Sequence, residues 1–351
     1  MSTVHLVVPQ GVDDPRRPSG GNTYDRRLAA SLTALGRTVV VDPVPGPWPG
    51  ADVALEVALG RLPDGAVAVV DGLLAGGAPF AVLEHRGRLR LVVIVHLPLG
   101  VGADPRSPVV RVESAVLAAV DAVVTTSRWT ARWLETSYGL EPHRVRVALP
   151  GADRAPVAPY GPGGRLLCVG AVTAVKGQDV LLDALARLDD RGRRDWSARI
   201  VGSTDVDPAF AEDVRRRAAA FAGRVTLTGP LAGADLDAAW AGADLLVVPS
   251  RVETYGLVVT EALGHGVPVL GSAVGGLPEA LGTTPDGRPG TLVPAGPDAL
   301  ATALLGWLTD AGRRTRWRDR ARRRRDHLAG WDTTAHAVDA VLADVAAGVA
   351  A

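Results

Sequence analysis

The sequence predicts an α/β fold arranged in two domains, and three observations carry that prediction. The chain has 351 residues, enough for two domains of ordinary size, and 47% of them are hydrophobic, enough to fill two cores. Short runs rich in Val, Leu and Ala alternate with segments of helical period, the pattern of parallel strands covered on both faces. That rhythm breaks once, between Pro150 and Gly164, where four prolines and four glycines gather, and then restarts. Residues 1–150 read as the first domain, 151–164 as a linker and 165–330 as the second domain. The halves share the βα rhythm but no sequence repeat.

Composition narrows the function classes. Lys plus Arg and Asp plus Glu both number 38, so the net charge is zero and nothing in the total favours a nucleic-acid partner. The single cysteine, Cys168, lies in the apolar run Leu166–Val169. It has no partner for an internal disulfide, reads as a buried small hydrophobe and fits a reducing cytoplasm. A strand at Val4–Val8 follows Met1-Ser-Thr directly, which predicts no signal peptide, and no apolar run is long enough to span a bilayer.

In the first half, Val4–Val8 is the first strand and Gln10–Gly21 a turn-rich loop. A helix is expected from about Asn22 to Leu35, with Leu28, Leu32 and Leu35 on one face and Gly36 at its end. The pair Gly20-Gly21 before it permits close backbone approach to a ligand, though such a pair is often only a turn. Strands follow at Thr38–Val41, Ala66–Val70, Leu91–Val95, Ala122–Thr125 and Val145–Ala148, with helical segments between. His96 ends the fourth apolar run, and ligand groups gather at the carboxyl ends of such strands. Ser127 is the expected N-cap of a helix holding Trp129, Trp133 and Leu134.

In the second half, strand Leu166–Val169 leads through Gly170 and Ala171 to Lys176-Gly177 and a helix around Leu181–Leu188. Lys176 is the only lysine; every other strongly basic residue is arginine. A lone ammonium after a strand marks a site for a compact point charge. Strand Ala198–Val201 ends in Gly202-Ser203-Thr204. Asp205 and Asp207 form an Asp-x-Asp, which can hold a divalent metal, but Asp207 before Pro208 is better explained as a helix cap. Strand Val225–Leu227 and helix Asp235–Ala241 follow. After Glu279 come strand Thr291–Val293, helix Asp298–Leu308, a basic helix Arg313–Arg325 with an expected solvated face, and a last helix Thr333–Val345. Weak contact of the basic helix with anionic lipid is an alternative use of that face.

The stretch Pro249–Glu279 organises the whole. An apolar run, Ala243–Val248, enters it and Pro249-Ser250 stops it. Glu253 falls in the loop; Tyr255, Gly256 and Leu257 open a helix carrying Glu261; Val267–Leu270 begins the next strand. The N–H groups at that helix start suit a phosphate. Two carboxylates beside an anion site would repel it if they touched it, so each is placed to accept hydroxyl bonds on either side, as a nucleotide sugar offers.

Glu253, Gly256, Glu261, Gly266, Pro268, Gly275, Gly276, Pro278 and Glu279 together resemble the Glu-x7-Glu region of retaining glycosyltransferases of family 4. The resemblance covers nearly the whole chain and is densest from Gly164 to Glu279. It implies a GT-B fold, two Rossmann-like domains facing across a cleft, with the helix at about 331–351 crossing back to the first. It implies transfer of a sugar from a nucleotide-diphosphate donor with retention, without a metal or other cofactor. Glu253, His96 and Lys176 are the catalytic candidates. Gly20, Gly21, Gly170 and Gly202 would approach the donor, with Leu231 beside it, and Thr254, Tyr255, Gly256 and Leu257 would meet the diphosphate. Glu261 would hold the ribose. One departure stands out: Ala171 occupies the place of the family's usual arginine. A nucleotide-sugar epimerase of the same fold and a non-catalytic nucleotide-sugar binder are the rival readings. The acceptor, a small molecule, glycan or lipid-linked group, is not legible.

Overall fold

The computed structural model describes residues 3–14 and 18–348. Part of the expected Gln10–Gly21 loop, at 15–17, and the expected helix range at 349–351 lie outside the described residues. The chain forms two compact units: one holds the N-terminal strand to Asp14, Gly20–Gly151 and the segment from Ala329 onward, and the other holds Ala152–Leu328.

The first unit contains β1 (Val4–Pro9), β2 (Val39–Val44), β3 (Val67–Asp71), β4 (Arg90–Val95), β5 (Ala122–Thr125) and β6 (Val145–Val147). They make one parallel sheet in the order β2-β1-β3-β4-β5-β6, with Val4 of β1 opposite both Val39 and Val67. β3 and β5 are buried along their whole length, so their Val- and Ala-rich composition serves two covered faces. Edge strand β2 is mostly open to solvent. Leu55, Leu74, Leu117 and Leu134 pack from helices against the sheet.

The second unit repeats the plan with β7 (Arg165–Val169), β8 (Ser197–Val201), β9 (Val225–Leu227), β10 (Leu245–Val248), β11 (Val269–Ser272) and β12 (Gly290–Val293). Its order is β12-β11-β10-β7-β8-β9. Cys168 is buried in β7; burial pushes its thiol up to about 12 against the pull of Lys176, so it is inert. β11 starts two residues after the expected Val267, because Pro268 has no N–H to give to a ladder. Asp207 caps the helix Pro208–Ala219 by accepting from Phe210 N at 3.1 Å, the role favoured over metal binding. Ser127 likewise accepts from Thr130 N at 2.9 Å.

Three expectations need correction. Gly20 and Gly21 do not precede the first helix but begin it, at Gly20–Ala34. The first-turn N–H groups need no intrahelical partner, so glycine costs little there. The helix expected to open at Tyr255 begins at Leu257. The basic helix, Ala311–Arg325, is not simply solvated on its charged face. Arg318 is buried and donates to Gly161 O at 2.8 Å, and Arg325 donates to Gly264 O and Ala155 O at 2.8 and 2.9 Å. Gly161 O and Ala155 O belong to the Pro/Gly-rich stretch, which has no ladder of its own to bond them, and Gly264 O ends the helix after Glu253.

The last helix, Trp331–Ala346, packs on the first unit. Arg37 pairs with Asp339 at 2.5 Å, Thr334 Oγ1 donates to Leu149 O at 2.7 Å, and Trp331 meets Tyr24 edge-on at 5.7 Å. Among the described residues no helix is long and apolar enough to cross a membrane.

Candidate functional site

In the second sheet the chain runs β7, β8, β9 toward one edge and then returns to place β10 on the other side of β7. The loops leaving β7 and β10 therefore diverge at the carboxyl ends of adjacent strands, the topological switch point where open α/β sheets bind ligands. Lys176 leaves β7 at the end of a short 3-10 turn, Ala174–Lys176, and Glu253 follows β10. Their side chains meet: Lys176 Nζ donates to Glu253 Oε2 at 2.6 Å. Glu253 is buried, whereas the lysine side chain is 34% exposed.

Close backbone contacts hold this pair. Gly177 has φ +69°, and a Cβ there would lie 2.3 Å from Pro249 O, so only glycine lets the lysine loop lie against the end of β10. Gly275 has φ +55°, and a Cβ there would come within 1.7 Å of Glu253 O, while Gly276 N donates to the same oxygen at 2.9 Å. The glycines of the motif thus seat the Glu253 peptide. Gly170 and Gly202 also touch, since a Cβ at 202 would reach Gly170 O at 1.9 Å.

Two supports were not read from the sequence. Arg251 donates to both oxygens of Asp179, at 2.8 and 2.6 Å, and to Ala174 O at 2.7 Å, tying the Glu253 loop to the lysine turn. Burial works against the Asp179 carboxylate, but the arginine outweighs it and holds its pKa below the usual range. Gln178 is fully buried, donates to Ala171 O at 3.0 Å and accepts from Thr173 N at 3.3 Å, so it shapes the turn in which Ala171 sits. Its place directly after Lys176-Gly177, opening the helix Gln178–Asp190, was the only signal in the sequence for it.

The helix after the Glu253 loop, Leu257–Gly264, is preceded by Thr254, the buried Tyr255 and Gly256. In its first turn Val259 N already donates to Gly256 O at 2.8 Å, so only the N–H groups before it lack intrahelical partners by geometry. Glu261, one turn along, is half-buried, and its carboxylate has no hydrogen-bond partner among the described residues. Burial, helped by Asp153, raises its pKa to about 7. Leu231 is half-buried in the turn after β9.

The remaining candidates lie in the first unit. There the switch point falls between β1 and β3. His96 follows β4, and its Nε2 lies 3.0 Å from Asp25 Oδ1 and 3.9 Å from Asp71 Oδ2. Gly21 packs against the ring: a Cβ there would stand 3.1 Å from His96 Cδ2. Gly20 is the exposed first residue of the same helix. The loop after His96 is pinned by buried Glu113, which accepts from Leu99 N at 2.9 Å and Gly100 N at 3.1 Å and from the Tyr138 hydroxyl. Burial raises the Glu113 pKa despite these bonds. Asp25, Asp71 and Glu113 were not anticipated, because each reads in sequence as an ordinary helix or strand-end carboxylate.

Comparison with known proteins agrees with this architecture. Residues 4–155 match the model described as Glycosyltransferase Family 4, and residues 163–310 match Glycosyl transferases group 1. D-inositol 3-phosphate glycosyltransferase 1 of Catenulispora acidiphila is 32% identical over an alignment 303 residues long that covers 78% of this chain and 68% of that protein. The D-inositol 3-phosphate glycosyltransferase of Kineococcus radiotolerans is 34% identical over an alignment 263 residues long that covers 67% of this chain and 60% of that protein. The chain thus spans about three fifths to two thirds of the length of these relatives. Sucrose-phosphate synthase from Thermosynechococcus elongatus shares the fold with a TM-score of 0.77 and 21% identity over 99% of this chain and 100% of that one. HepE of Anabaena in complex with UDP-glucose does so with a TM-score of 0.78 and 16% identity over 98% of this chain and 100% of that one.

Two parallel six-stranded Rossmann-like units of this kind define a glycosyltransferase of GT-B type. The chain belongs to glycosyltransferase family 4, the glycosyl transferases group 1.

Proposed function

We propose that the protein moves a sugar from a nucleotide-diphosphate donor to an acceptor hydroxyl with retention of anomeric configuration. The observation that carries this reading is the Lys176–Glu253 pair beside the start of the helix Leu257–Gly264. One ammonium and the helix N–H groups supply positive potential where a diphosphate leaves, fixed before the bond breaks. The carboxylate that neutralises the ammonium in the free protein accepts sugar hydroxyls once the diphosphate takes its place. The nucleotide-bound states of HepE support the donor class. Attack occurs on the face the diphosphate leaves, with the departing phosphate taking the acceptor's proton.

The test is incubation with a panel of nucleotide sugars, with sugar transfer or donor hydrolysis followed by NMR of the product's anomeric proton. Inversion at that carbon, or a donor returned with an altered sugar, contradicts the reading. Turnover is expected to survive a chelator, because Asp207 is a helix cap and phosphate charge is met by Lys176. Loss of turnover in EDTA, restored by magnesium or manganese, overturns that expectation.

Glu261 links binding to pH. Its pKa of about 7 in the free protein leaves it partly protonated at neutrality. A ribose diol prefers the carboxylate, so nucleotide binding releases a proton. Affinity is expected to rise from pH 6 to 8 and then level off, and Glu261→Gln should remove that slope. Calorimetry in two buffers of different ionisation enthalpy measures the released proton; identical heats in both exclude the linkage.

A further inference from the structure

His96, Asp25 and Asp71 reach one point from three separate stretches: the end of β4, the helix Gly20–Ala34 and the end of β3. Both carboxylates converge on the same ring nitrogen, Nε2, at 3.0 and 3.9 Å. Asp25 is 1% exposed and Asp71 5%. Asp71 Oδ1 accepts from Leu73 N at 2.6 Å, whereas Asp25 Oδ2 is buried without a partner. Two buried carboxylates around one ring nitrogen favour the charged ring, because a neutral ring leaves their negative charge unbalanced where water is excluded. Gly21 backbone closes one side, and Tyr24 stands edge-on at 5.2 Å, fixed by its own bond to Ala148 O at 3.0 Å. The other nitrogen, Nδ1, has no partner among the described residues.

We propose that Asp25 and Asp71 are positioning residues that keep His96 doubly protonated, with Nε2–H given to the carboxylates and Nδ1–H held as a charged donor for a hydroxyl oxygen of the transferred sugar. His96 then donates throughout the reaction and does not act as a general base. One further proton on Asp71 makes the buried cluster neutral overall. Electrostatics agree with the geometry. Burial opposes the charged ring, but Asp25 and then Asp71 outweigh it and lift His96 to about 9. Burial likewise raises Asp71 to about 7, against the pull of the ring and with the push of Asp25. These carboxylates and the Tyr24 phenol, which burial keeps neutral, are the titratable groups facing the ring. The sugar as recipient rests on the transferase reading; the charge state does not.

The experiment is an imidazole 15N NMR titration of the full chain, with the His96 signals assigned by their loss in His96→Gln. Both His96 nitrogens are expected at imidazolium shifts from pH 6 to 8, becoming neutral only near pH 9. Asp25→Asn should lower the midpoint by a unit or more, and Asp71→Asn by a smaller amount. A neutral tautomer at pH 7 in the parent overturns the proposal, and that titration decides the matter even if a variant fails to fold. Zn2+ that brings His96 Nε2 to a metal-bound shift at equimolar concentration also overturns it, because ligation requires Nε2 unprotonated. With an active donor, the alkaline limb of kcat should move down with the His96 midpoint in Asp25→Asn while the nucleotide KM stays nearly constant. An imidazolium that persists while no donor is turned over sustains the charge assignment and counts against the transferase reading alone.

Discussion

Lys176→Ala is expected to lower transfer by about a hundred- to a thousand-fold, the usual cost of removing one fixed stabiliser of charge growing in a transition state. Two effects combine. Lys176 is the only lysine in the chain, Ala171 stands where the family has an arginine, and Arg251 is committed to Asp179 and Ala174 O. The substitution also leaves Glu253, which is buried, without its partner at 2.6 Å. An uncompensated carboxylate in that place repels the diphosphate it formerly made room for. Nucleoside-diphosphate affinity should therefore fall with the rate. Combining Lys176→Ala with Glu253→Gln should recover part of the binding but none of the turnover, a pattern that simple loss of a phosphate contact does not produce. Lys176→Arg should rescue poorly, because a planar fork with its charge spread over three nitrogens does not reproduce a point charge above Gly170. Ala171→Arg should tighten diphosphate binding. Calorimetry on these variants beside transfer rates checks the set, and a Lys176→Ala protein that binds and turns over like the parent removes the lysine from the mechanism.

Asp244→Ala is expected to destabilise the second unit by about 3–5 kcal/mol, the cost of breaking a buried ion pair from one side. Asp244 is buried at the entry to β10 and accepts from Gly163 N and Arg165 N, each at 3.0 Å. It also accepts from Arg165 Nη2 at 3.0 Å and Arg318 Nη2 at 3.1 Å. Arg318 is buried too, between Tyr160 and Trp307, so the alanine variant strands its charge. Arg165 is 39% exposed and its removal should cost much less. Burial acts against the Asp244 charge, but Arg165 outweighs it and holds the pKa below its ordinary value. A depressed carboxylate pKa contributes stability above the unfolded value, about 3.9, that is lost as pH falls through the folded value. The difference between parent and Asp244→Asn should thus be full at pH 7 and shrink below about pH 4. Urea unfolding followed by circular dichroism at pH 7 and in acid measures it; equal midpoints at pH 7 show that the linker does not depend on this carboxylate.

The strands were legible because each is a short Val- and Leu-rich run punctuated by Gly or Pro, and β5 and β9 fall where the pattern puts them. Glu253, Glu261 and Lys176 were legible for a related reason. Glycines and prolines at strand ends mark loops whose backbone must pass close to something, and the single lysine stands out against arginine. What those glycines pass close to was not legible: Gly275 is fitted to Glu253 O, and Gly177 to Pro249 O.

The sequence by itself determined the two-unit α/β plan, the family and the residue types brought to the second sheet's loops. The tertiary structure alone decided which of them meet. Lys176 and Glu253 are 77 residues apart and share an ion pair only because β10 returns to lie beside β7. Asp25 and His96, 71 residues apart, meet because the first helix packs beside the switch point of its sheet. Charge states followed from the same packing. Whether Asp244 anchors a linker, or His96 holds a second proton, depends on how far burial removes water and which partner replaces it, and local sequence carries no record of either.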